Sequence, residues 1–240
     1  MEISGVTLEH IGYAILGGVG PVLLWLWFWL QEDRRHPEPR SIIFLVFLAG
    51  ATSVAFIIPL ENAIGAFIHE PWWLYGALSS VEEIGKFVVV AVIAFRGSFI
   101  DEPTDYAIYM IVGALGFAAM ENVLYLLDPL SSNNITIALL TGNLRFLGAT
   151  VLHAAASSII GLSLGLAFWK GRAVSFVYLI IGLIGAIGLH TVFNFFIIGS
   201  QNNIFPIFAG LWVVVIFILL IFERVKALQA HHEEMHENLL

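Results

Sequence analysis

The feature that most constrains this chain is the recurrence, along most of its length, of apolar runs of about 20 residues. A run that long is what an α-helix needs to cross the roughly 30 Å hydrocarbon core of a bilayer. Inside lipid the backbone N–H and C=O groups must bond within the segment itself, so such runs fold as helices and not as open strands. Composition agrees with a membrane protein: 59% of the 240 residues are hydrophobic, 12% are charged and mean hydropathy is +0.91, against about 25% charged in an ordinary soluble domain. The predicted fold is therefore an all-α, polytopic transmembrane helix bundle, with helices at about 11–30, 42–66, 72–95, 106–127, 144–169, 174–198 and 204–222. They form one domain over residues 1–222, followed by a polar cytoplasmic tail over 223–240. The first helix lacks a small-residue cleavage site and is longer than a signal-peptide core, so it is read as retained.

Some functions are excluded at this stage. With no cysteine there is no disulfide, thiolate nucleophile or cysteine metal site, and a formal charge of −8 argues against a nucleic-acid partner. Orientation follows from the ten Lys and Arg residues. Arg34, Arg35, Arg40, Arg96, Lys170, Arg172, Arg224 and Lys226 fall in alternate connections or after the last helix. The positive-inside rule then places the N-terminus outside and the C-terminus in the cytoplasm.

That topology sets the depth of each charge inside a helix. At 1.5 Å per residue, Glu82 and Glu83 lie roughly 15 Å below the outer surface, Glu121 about 9 Å, and His153 and His190 about 12 Å. Four helices thus place ionisable groups in one slab, where a lone charge costs at least about 2.5–3.5 kcal/mol and is a functional candidate by default. Glu82 and Lys86 are i,i+4 and share a face, with Glu83 about 100° away; either glutamate is a candidate partner for the lysine. Phe117 and Glu121 are also i,i+4, as are His190 and Asn194. Two histidines and up to three carboxylates at one depth suit a hard or borderline metal such as Zn²⁺; on pattern alone, a proton- or ion-coupled transporter core fits equally well. The two halves of the chain show no inverted repeat, which a transporter commonly has.

In order along the chain, EEIGK (Glu82, Glu83, Lys86), FAAMEN (Phe117, Glu121, Asn122), RFLGATVLH (Arg145, His153) and HTVFN (His190, Asn194) resemble the four motifs of the PrsW family of intramembrane proteases. The resemblance covers about residues 20–200. It extends more distantly to the prenyl-protein and bacteriocin-processing (CPBP, CAAX) proteases, which carry a histidine where this chain has Glu121. The resemblance implies peptide-bond hydrolysis of a membrane-anchored protein near the extracytoplasmic side, in a multi-pass protein of a prokaryotic plasma membrane; an anti-sigma factor is the implied substrate class. It implies that Glu121, His153 and His190 hold Zn²⁺ while Glu82 or Glu83 acts as general base. Lys86 then keeps that carboxylate ionised, Arg145 and Asn194 polarise the carbonyl or stabilise the oxyanion, and Asn122 and Phe117 support the ligands. In a metal-free alternative Glu82 activates water directly, and His190 with Asn194 forms the oxyanion hole.

Other matches read as structural. GLSLG (161–165) has the nucleophile-elbow pattern but falls within a helix, where its glycine spacing suits close helix packing. HEEMH (232–236) matches a zinc-protease pattern but sits in a His- and Glu-rich tail with no third ligand downstream. Gly182, Gly185 and Gly188 suit close helix approach near His190. Glu61 and Asn62 read as an interfacial polar patch, and Trp72 and Trp73 as interface anchors.

Overall fold

The computed structural model describes residues 6–32, 36–96, 99–199 and 204–237. Arg34, Arg35 and the side chains of Glu233 and His236 in HEEMH lie outside the described residues. The elements are α1 (Leu8–Glu32), α2 (Arg40–Phe67), α3 (Pro71–Ile93), α4 (Asp105–Ser131), α5 (Ile135–Leu144), a π-helical turn (Arg145–Ala149), α6 (Thr150–Leu166), α7 (Arg172–Gly199) and α8 (Phe205–Glu237). Because α5, the π turn and α6 run on without a break, the described chain forms seven long rods and contains no strand. Six of them are long and apolar enough to cross a membrane. The seventh, α3, carries Glu82, Glu83 and Lys86.

Two boundaries and one internal turn differ from the expectations. The fifth rod begins at Ile135 and not near 144, because the preceding turn is very tight. Asn133 adopts φ 54°, and the Asn134 side chain accepts a hydrogen bond from the Ile137 N–H at 3.1 Å, which caps the helix at once. The π turn has no signature in the apolar pattern. The last helix does not stop at Phe222 but runs through the charged segment to Glu237. One face of that extension is packed: Phe222 and Val225 are buried, Lys226 bonds Glu32 of α1 at 2.8 Å, and His232 stacks on Trp169.

Packing centres on α4, whose residues from Ala107 to Ala119 are all buried. Lipid tails are as apolar as leucine, so helices associate through close van der Waals contact at small residues. Gly50 of α2 sits on the Gly113 carbonyl, Gly116 on the Phe47 carbonyl, and Gly161 of α6 on Tyr106 and Ala107. Gly182 and Gly185 of α7 approach Ile159 and Ile160 of α6, whereas Gly188 faces open space. Trp25 against Trp212, Trp29 against Phe222 and Glu32 against Lys226 set α1 parallel to α8. The start of α2 meets the start of α4, where the Tyr109 hydroxyl donates to Glu38. Arg40, Arg96, Lys170, Arg172, Arg224 and Lys226 consequently all gather at one end of the bundle.

A β-carbon at Gly116 would collide with the Phe47 carbonyl, while one at Gly20 meets nothing within 4 Å. Gly116→Ala is therefore expected to lower stability in detergent by about 1–3 kcal/mol, with Gly20→Ala neutral or slightly stabilising. Thermal or denaturant midpoints for the two variants check this, and equal midpoints would show that the α2–α4 seam is looser than described.

Candidate active site

Helix α3 buries its polar face. Ser79, Glu82, Glu83, Lys86 and Val90 are buried, whereas Ile84, Val88 and Val92 are exposed on the opposite side. An inverted pattern of this kind suits a helix with lipid outside and a polar centre within.

Glu83 and Lys86 are both 0% exposed and pair at 2.6 Å. Glu83 Oε1 also meets His190 Nδ1 at 2.8 Å, and its Oε2 accepts from Ser157 Oγ at 2.7 Å. Lys86 Nζ reaches His153 Nδ1 at 2.9 Å and stands 4.6 Å above the Phe117 ring. A carboxylate only accepts, so the ring nitrogen facing it carries the proton. For His190 that is Nδ1, bound to Glu83; for His153 it is Nε2, which donates to Glu121 Oε2 at 2.8 Å.

The opposite nitrogens, His190 Nε2 and His153 Nδ1, lie 3.7 and 3.8 Å from Glu82 Oε2; the His190 nitrogen has no other partner among the described residues, whereas His153 Nδ1 accepts from Lys86 Nζ. Glu82 Oε2 is buried and has no hydrogen-bond partner, though Lys86 Nζ lies 3.6 Å away. Ligand atoms of Glu82, His153 and His190 all fall within 4.8 Å of one another. Two bonds of 2.0–2.1 Å at a tetrahedral angle set ligand atoms roughly 3.4 Å apart, so the three fit a single ion once Lys86 Nζ turns from His153 Nδ1 to its Glu83 partner. The charges point the same way, since Glu82, Glu83 and Glu121 exceed Lys86 and Arg145 by one negative charge, and Glu61 of α2 also reaches Glu82.

The grouping found in the structure differs from the expected ligand set. Glu121 does not converge with His153 and His190 on a common point, because Arg145 holds it: Nη2 bonds Glu121 Oε2 at 2.6 Å. The Arg145 Nε–H donates to Asn122 Oδ1 at 2.6 Å, the guanidinium lies 4.0 Å over Tyr125, and Asn122 Nδ2 donates to Thr150 Oγ1 at 3.0 Å. Arg145 opens the π turn, a distortion often found where a side chain is re-aimed at a functional site. Of the two carboxylates considered for Lys86, Glu83 is the close partner. Asn194, half-buried one turn outward of His190, makes no hydrogen bond to the cluster among the described residues. Sequence reasoning missed Ser157, whose only signal was its i+4 spacing from His153, and it gave Glu61 to a surface patch.

A polytopic helix bundle with buried Glu, His and Lys side chains converging inside its membrane-spanning region defines a membrane protein with an interior site able to hold a metal. Residues 38–221 match the model of the PrsW family of intramembrane metalloproteases, and the chain belongs to that family. It is 28% identical over 194 residues to Protease PrsW of Geobacillus kaustophilus (strain HTA426), covering 78% of this chain and 81% of the relative. It is 25% identical over 207 residues to Protease PrsW of Bacillus subtilis (strain 168), covering 82% and 90%. Against Protease PrsW of Clostridioides difficile (strain 630) the figures are 28% over 186 residues, 73% and 75%. No solved structure matches the chain. The protein is thus a protease of the bacterial cell membrane with multiple spans.

Breaking a buried pair leaves the surviving charge uncompensated, a loss of about 3–5 kcal/mol. Lys86→Met is expected to destabilise the protein by that order in denaturant or thermal titration, while Lys170→Met at the exposed end leaves the midpoint unchanged. A midpoint for Lys86→Met within error of wild type would show that Glu83 does not depend on the lysine.

Proposed function

We propose that this protein is an intramembrane endopeptidase that cuts membrane-anchored proteins near the extracytoplasmic side, at a metal site formed by Glu82, His153 and His190. The observation that carries this reading is the opposed orientation of the two imidazoles. Each gives one ring N–H to a carboxylate, Glu83 or Glu121, and has its other nitrogen within 3.8 Å of Glu82 Oε2, with Lys86 Nζ the group that an ion would displace from His153 Nδ1. Carboxylate-backed histidines are the usual support of zinc ligands. When bound, Zn²⁺ supplies a Lewis acid that makes water nucleophilic near neutral pH.

The remaining side chains take roles from their contacts. Glu83 is a positioning residue, its oxygens occupied by Lys86, His190 and Ser157. Arg145 and Asn122 position Glu121. The base role expected of Glu82 or Glu83 passes to Glu61, the carboxylate beside Glu82 and outside the ligand set; it takes the proton of the attacking water and returns it to the leaving amine. Asn194 offers its amide to the developing oxyanion. In the metal-free alternative His190 donates from Nε2 as well as from the Nδ1 that faces Glu83, which requires the doubly protonated ring; the neutral ring leaves Nε2 as a lone pair. That tautomer favours the ligand role.

Along α3, α4 and α7 the cluster lies roughly 13–18 Å from the end opposite the basic loops. With the basic end in the cytoplasm, a peptide reaches the cluster from outside or from the outer turns of a neighbouring single-span helix. A helical substrate must first unwind, because its scissile carbonyl is otherwise held in an i→i+4 hydrogen bond. A membrane-anchored anti-sigma factor, cut on its external flank, fits this geometry.

Metal analysis of purified protein should find one Zn²⁺-class ion per chain, lost together with activity in Glu82→Gln. Glu61→Gln should keep the metal and lose activity by roughly 10²–10⁴-fold. Activity in metal-free protein would overturn the metal reading.

In liposomes carrying single-span model substrates, product sequencing should map cuts to the external flank or first outer turns. Cuts confined to the cytoplasmic flank would rule out the orientation.

A further inference from the structure

The basic end of the bundle holds an acidic cluster that takes no part in the chemistry above. Glu38 precedes α2, Asp101 lies in the α3–α4 loop and Asp105 opens α4, and one carboxylate oxygen from each lies within 4.8 Å of the others. Asp105 is 0% exposed. Its Oδ2 accepts the backbone N–H groups of Asp101 and Glu102 at 2.9 and 2.7 Å, an ordinary use of an acid at a helix start. That use accounts for only one of its oxygens. Oδ1 is buried and receives no N–H or O–H among the described residues; the group it meets is the Glu38 carboxyl, another acceptor unless a proton is shared between the two. Glu38 accepts from the Tyr109 hydroxyl, and burial raises its carboxyl above the usual range. The neighbouring Glu102 is taken by His36 at 2.6 Å.

Like charges this close oppose one another unless a proton or a cation joins them. All three candidate ligands are carboxylate oxygens, with neither nitrogen nor sulfur among them, and that donor set selects hard cations over zinc or copper. Asp101 is exposed and Glu38 half-buried, which leaves room for water to complete a coordination shell. Along α4 the cluster is sixteen residues from Glu121, roughly 24 Å, so it is separate from the catalytic site.

We propose that Glu38, Asp101 and Asp105 form a second cation site, for a hard divalent ion of the Mg²⁺ or Ca²⁺ type, that clamps the segment entering α2 to the α3–α4 loop. The ion replaces mutual repulsion of the three carboxylates with a shared attraction, and gives the unpartnered Asp105 oxygen its partner. The proposal stands apart from the protease reading.

The test uses full-length protein in detergent, stripped of divalent ions and titrated with Ca²⁺ or Mg²⁺ alone by calorimetry and thermal unfolding. Tb³⁺ luminescence sensitised by Tyr109 reports on the same place. Saturable binding of one ion and a rise in the unfolding midpoint are expected, with affinity weakened about tenfold or more in Glu38→Gln and in Asp101→Asn. The second variant lies in an exposed loop position and does not threaten folding. Glu82→Gln should bind the ion as wild type does. Absence of saturable binding, binding unchanged in both cluster variants, or binding lost only in Glu82→Gln would overturn the proposal; in the first case a shared proton joins Glu38 to Asp105.

Discussion

The Glu83–Lys86 ion pair is the interaction on which the rest of the interior depends. Neither residue has any exposed surface, and burying an ion costs several kcal/mol after relaxation unless its remaining hydrogen-bonding capacity is met. Meeting it takes residues from other helices: Ser157 and His153 from α6, and His190 from α7. Those histidines then need their own partners, which brings in Glu121 from α4 and, through it, Arg145 from the π turn. One buried pair therefore fixes how α3, α4, α6 and α7 face each other. The apolar surfaces cannot specify this, because in lipid one leucine-rich face is as good as another.

The division of labour between glycines and charges follows from the same solvent. Glycine seams at Gly50, Gly113, Gly116 and Gly161 bring α2, α4 and α6 into backbone contact. The fully buried stretch of α4 forms a rigid post between them. Catalytic groups need placement to a few tenths of an ångström, and Glu121 and Asn122 stand on that post directly beyond its packed section. Helix α3 is different, with one face on the cluster and the other open. Its position is held by apolar packing on α2 and α7 together with the polar contacts it makes.

Much of this was legible in the sequence because the bilayer permits few choices. Apolar runs become helices, basic loops collect at one end, and a charge at membrane depth needs a reason to be there. The shared depth of Glu82, Glu83, Glu121, His153 and His190 already pointed to one cluster in the sequence. The partition of roles within it was not legible. Helical spacing says which residues share a face, but not which imidazole nitrogen points inward, and that depends on a carboxylate from another helix. Nor does spacing reveal the π turn that delivers Arg145 to Glu121. Glu61 looked peripheral because it lies near the end of α2, where only tertiary packing shows that it reaches Glu82. The extension of α8 was missed for a related reason: its charges look solvated along the chain, while Val225 and Lys226 lie on the face that meets the bundle.

The tautomers of the two histidines connect structure to reactivity. An imidazole whose outer N–H is fixed by a carboxylate presents a more basic inner nitrogen, in one orientation and without a rotational search. In His190 the fixing group is Glu83, itself locked by Lys86; in His153 it is Glu121, locked by Arg145. Each imidazole is thus backed by a carboxylate and then by a cation, in two chains that start on different helices and are joined where Lys86 also meets His153 Nδ1. Helix α3 contributes Glu83 and Lys86 to one of these chains and Glu82 to the point where both converge. Two adjacent glutamates on one helix turn are needed for that, because their side chains diverge by about 100°: one can orient a histidine while the other faces the point between the two imidazoles. Neither a single glutamate nor a pair on the same face could do both.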